Sequence, residues 1–142
     1  MKLRSHIVAS VIFSSIFFLV FKSWSITVSS LISGVLIDCD HVLDYLLKFK
    51  KRFRVKKLFD TYNKREMLFF MVILHSWELL FLLNIYAFLM SDNSWIIGIT
   101  IGFTQHVVLD QIFNHLGGWQ YFFFWRVKKG FNLKKMYPKL IS

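Results

Sequence analysis

The sequence has one cysteine, one proline, and no internal repeat or low-complexity tract. A single thiol excludes an internal disulfide and says nothing firm about compartment. Cys39 is either an occasional soft metal ligand beside Asp38 and Asp40 or a small packing residue. Acidic residues are also scarce: 8 stand against 18 Lys and Arg, for a formal charge of +10. Such a surplus points to nucleic acid only if the basic residues lie on a soluble surface. The apolar run Ile7–Phe21 resembles the core of a signal peptide, but Lys22 and the bulky Trp24 stand where small residues would precede cleavage. That run is therefore expected to stay as a helix.

What is present is apolar. Hydrophobic residues make up 56% of the 142, and aromatic ones 19%, which in a chain of one-domain length suggests a membrane protein. Four apolar segments are expected as helices at about 5–22, 25–47, 64–90 and 94–116. The predicted architecture is an all-α, four-helix transmembrane bundle in one domain. Short connections at residues 23–24 and Ser91–Ser94 predict antiparallel hairpins. Gly117 and Gly118 end the fourth helix. The aromatic run Trp119–Trp125 and the basic tail after it suit an interfacial segment over 119–142.

With a cytoplasmic amino terminus, this topology puts 17 of the 18 Lys and Arg residues on the cytoplasmic side and leaves Lys22 outside. The pattern follows the positive-inside rule and accounts for the charge without nucleic acid. It predicts an integral protein of a bacterial cytoplasmic (inner) membrane with both termini inside. Seven of the ten residues Lys48–Lys57 are basic; this loop is either a topology signal alone or a patch that attracts anionic headgroups.

The chemistry is concentrated in Asp38-Cys39-Asp40-His41, with Asp44 three residues on. Carboxylates and an imidazole flanked by apolar sequence are costly to bury unless metal or tight pairing compensates them. Oxygen and imidazole donors suit zinc first, with manganese or iron as alternatives. Other polar residues recur on helical faces: His6, Ser10 and Ser14 on the first, His75 and Glu78 on the third, and Gly98, Gly102, His106 and Asp110 on the fourth. The Gly-x-x-x-Gly of that last stripe lets a neighbouring helix approach closely. At about 1.5 Å per residue from the outer helix ends, Asp38, His75, His106 and Asp110 all fall roughly 18 to 24 Å down. Ionisable groups at one depth point to a site of one to three metal ions. Glu78 is a ligand, a general base or a partner behind His75, whereas His115, half a turn from His106, is expected at the interface.

The order of these motifs resembles small bacterial membrane-bound metal-dependent hydrolases and, more distantly, the helical zinc-dependent phospholipase C proteins. The likeness rests on His6, the Asp38-x-Asp40-His41-x-x-Asp44 run, His75-Ser76 and His106-x-x-x-Asp110. It departs from the usual pattern in having Ile37 where proline commonly precedes the first aspartate, and in lacking the two-histidine form of the middle motif. With this resemblance, the expected ligands are His6, Asp38, Asp40, His41, Asp44, His75, His106 and Asp110, with Glu78 and Asp44 as acid/base groups. The expected reaction is metal-assisted hydrolysis of a phosphoester or ester in a lipid or lipid-linked substrate, such as an anionic phospholipid or a polyprenyl phosphate. The rival is a non-enzymatic membrane protein that handles divalent metal or uses a His/carboxylate cluster structurally.

Overall fold

The computed structural model describes residues 3–49, 72–114 and 118–136, and all regular structure among them is helical. The helices are α1 (Leu3–Phe21), α2 (Trp24–Leu36), α3 (Cys39–Phe49), α4 (Trp77–Leu89), α5 (Ser94–Phe113), α6 (Phe123–Lys128) and α7 (Leu133–Met136), with a 3₁₀ turn at Gly118–Tyr121. The all-α expectation holds. By length and composition, two helical stretches can cross a membrane, Trp24–Leu43 and Ser94–Phe113, while Ser5–Phe21 and Trp77–Leu89 are shorter apolar helices. The basic stretch of residues 50–57, the start of the expected third helix over 64–71, and His115 lie outside the described residues.

Two boundaries differ from expectation. The helix expected over 25–47 breaks at a turn through Ile37 and Asp38, where Asp40 N–H donates to Ile37 O (3.3 Å) and His41 N–H to Asp38 O (3.1 Å). These tight bonds re-aim the chain, so α2 ends and α3 begins on either side of Asp38. The helix expected over 64–90 begins, where described, only at Trp77. Ser76 is its N-cap, with its hydroxyl accepting from Leu79 N–H at 3.3 Å. His75 therefore sits on a non-helical segment and not inside a helix.

α5 is the central helix, packed most extensively on α2 and also against α4 and α1. The sequence explains the α2–α5 contact through its small residues. A Cβ on Gly98 would overlap Ser29 Oγ and lie 2.5 Å from Ile26 O; one on Gly102 would overlap Ser33 Oγ and Ser30 O. Glycine is required here by close approach. Ser14 Oγ meets Ser30 Oγ at 3.0 Å, joining α1 to the same seam. A small apolar cluster of Ile37, Leu80 and Val107 ties the end of α2 to α4 and α5. These three residues neighbour the polar groups described next.

Candidate metal centre

Each element carries a polar side chain to the same end of the bundle. His6 comes from the first turns of α1, Asp38 from the turn after α2, His41 from α3, His75 from the segment before α4, and His106 and Asp110 from the last turns of α5. His6, His75, His106 and Asp110 are fully buried. The Asp38 and His41 side chains keep 15% and 13% of their surface exposed, so they form the open wall of the site.

The key contact is between His106 Nδ1 and the Gly34 carbonyl oxygen, at 2.7 Å. A carbonyl only accepts, so Nδ1 carries a proton and Nε2 is the nitrogen turned the other way. That nitrogen faces His75 Nε2 at 3.2 Å and Asp38 Oδ1 at 3.4 Å. His75 Nε2 lies 3.5 Å from the same Asp38 oxygen. Two imidazole nitrogens and a carboxylate oxygen thus form a near-equilateral triangle. Tetrahedral zinc with bonds of about 2.0–2.1 Å sets its ligand atoms roughly 3.3–3.4 Å apart. Asp110 Oδ2 approaches the triangle at 3.7 Å from His75 Nε2 and 3.9 Å from His106 Nε2, and His41 Nε2 lies 3.7 Å from Asp38 Oδ1.

His6 completes the floor. Its ring stacks on His106 with centroids 4.1 Å apart and planes inclined by 11°, and its Nε2–H donates to Asp110 Oδ1 at 2.9 Å. Its Nδ1 is buried without a hydrogen-bond partner. The ligand atoms sort into two groups, His6–His106–Asp110 and Asp38–His41–His75, each with its atoms within 4.8 Å of one another. These buried His/Asp groups can hold a metal ion. The donor set is imidazole nitrogens with carboxylate oxygens.

The chain matches no protein-family model, no curated protein and no solved structure. Its chemistry is therefore argued from its own geometry.

Of the expected site residues, Asp40 is buried behind the triangle. It accepts Leu74 N–H and lies 3.6 Å from His75 Nδ1, the position of a residue that orients a ligand. Asp44 lies on α3, with its side chain outside the described residues. Glu78 is engaged by another element. Its carboxylate accepts Phe123 N–H (2.8 Å) and Phe124 N–H (3.1 Å), so it caps α6 and stands in neither ligand group. Its place in the first turn of α4 turns it toward the carboxy-terminal segment.

Sequence reasoning missed Arg126, which was counted with the interfacial basic residues. It is fully buried and donates to Val72 O and, at 3.1 Å, to His75 O. The one available signal was its position directly after an aromatic run, ahead of the Lys pair that follows. Gln105 was also overlooked; it is buried beside His106, with its amide donating to Ser10 Oγ at 3.3 Å.

Proposed function

We propose that this chain is a membrane-embedded, metal-dependent hydrolase that cleaves a phosphoester or ester of a lipid or lipid-linked substrate at the cytoplasmic leaflet, in keeping with the family resemblance of its motifs. The observation that carries the reading is the triangle of His75 Nε2, His106 Nε2 and Asp38 Oδ1, whose sides of 3.2, 3.5 and 3.4 Å bring two imidazole nitrogens and a carboxylate oxygen to the spacing of metal ligands. A cation among them would take the place of the protons that these groups otherwise share.

A divalent ion held there supplies Lewis acidity to a phosphoryl or acyl oxygen and eases deprotonation of water. The protein's own groups do the rest. The Gly34 carbonyl holds His106 in one tautomer, and His6 fixes Asp110 through its 2.9 Å contact. Asp38 and His41, the partly exposed pair, line the side from which a headgroup enters. The basic residues of Lys48–Lys57 favour an anionic phosphate.

A metal carrier needs a polar path to the far face. Gly98 meets Ser29 and Ile26 so closely that no room is left between α2 and α5 there. The test is incubation of zinc-loaded protein with anionic and zwitterionic vesicles and a polyprenyl phosphate, with Asp110→Ala as control, following headgroup or phosphate release by mass spectrometry. Product above the control supports the reading. Bound metal without product moves it to metal handling, and a metal-free bundle leaves a structural His/carboxylate cluster.

A further inference from the structure

We propose that Arg126 is a positioning residue for His75, acting on the metal centre through the backbone of residues 72–76. This rests on the metal reading above. His75 lies ahead of its helix, so no helical ladder fixes its backbone. The segment is held instead by three side chains. Ser76 Oγ donates to Ile73 O at 3.0 Å, Asp40 accepts Leu74 N–H, and Arg126 donates to Val72 O and to His75 O at 3.1 Å.

The chemistry of the last contact needs arginine. A planar guanidinium presents its N–H groups in a rigid fork, so binding carbonyls three residues apart sets the orientation of one relative to the other. The ammonium of lysine has no such fork. A fully buried guanidinium is tolerated only when hydrogen-bonded, so the segment and the arginine hold each other. The helix bearing Arg126 has six residues and no side-chain cap of its own, too short to stand unaided. Glu78 supplies the cap through Phe123 and Phe124 N–H. The latch is thus reciprocal: α4 anchors α6 by its first-turn acid, and α6 anchors the residues before α4 by its buried base. His75 Nε2, a corner of the triangle, depends on both.

The experiment uses the full chain in detergent, stripped with chelator, and compares the wild type with Arg126→Lys. Carbethoxylation of His75, His6 and His106 by diethyl pyrocarbonate is followed by mass spectrometry. Selective local opening should raise the rate at His75 by about tenfold or more and leave His6 and His106 near their wild-type rates. Equal gains at all three histidines, or none, would overturn the proposal. Cobalt(II) titration, read by its visible absorption, supplies the second arm. Arg126→Lys should weaken binding by about 10–100-fold in the wild-type background and by little in a His75→Ala background; equal loss in both backgrounds would also overturn it. If the wild type binds no cobalt, the metal reading fails and the histidine reactivities alone decide the positioning role. Should Arg126→Lys not fold, Glu78→Ala releases the same latch from the other side and is read by the same outcomes.

Discussion

At His106, one backbone carbonyl decides what an imidazole can do. Because Nδ1–H donates to Gly34 O, the ring has a single nitrogen left for the centre, and glutamine at this position could not present the same lone pair. If the centre holds a metal as proposed, Asp38→Ala and His106→Ala should each abolish its high-affinity binding, since each removes one corner of the triangle. Asp40→Asn should weaken it by about 10–100-fold, because Asp40 acts from behind His75; isothermal titration in detergent separates the two classes. The residue types were legible in the sequence, and His6, Asp38, His41, His75, His106 and Asp110 do converge. Their local roles were not. Glu78 was placed with His75 by a spacing of three, an argument that needs both inside one helix, whereas Ser76 caps α4 between them. A serine followed by a first-turn acid is itself a helix-start signal, outweighed here by the long apolar run around it.

At the scale of elements, the bundle is held by what its helices omit. α2 and α5 meet through Ser29, Ser30 and Ser33 against Gly98 and Gly102, and the Gly34 carbonyl reaches His106 along the same seam. The fit that packs the helices therefore also orients a candidate ligand. Gly98→Ala should destabilise the protein by about 1–3 kcal/mol through overpacking, seen as a lower thermal midpoint in detergent. Ser29→Ala should not rescue it, because the Ile26 carbonyl still lies 2.5 Å from the new methyl. The Gly-x-x-x-Gly spacing made this contact legible. The break at Ile37–Asp38 was not, since apolar residues flank it on both sides and the polar group that gains from the turn is Asp38 itself.

The whole molecule is polar within and apolar without. Among the described residues, 30 large hydrophobic side chains are exposed and 8 are buried, while 15 polar or charged residues are buried. Such a surface suits lipid, where helix association relies on small residues and hydrogen bonds instead of apolar burial. Exposed tryptophans mark both ends. Trp24 and Trp95 begin α2 and α5, while Trp119 accompanies the segment docked beside His75, in the manner of two interfacial belts. The α1–α2 and α4–α5 turns share the end away from the cluster, for Ser25, Asn93 and Trp95 line one cavity there. That end is about 18 Å from His106 along α5. In the proposed topology it faces outside and the metal centre lies toward the cytoplasm. In a Cys39→Ala background, a single cysteine at Ser91 or Asn93, both exposed, should react in intact cells with an impermeant maleimide. One at Asn63, outside the described residues, should react only after the cells are opened. Labelling in the reverse order would put the basic residues on the outer side and detach the site from the anionic leaflet on which the proposed substrate depends.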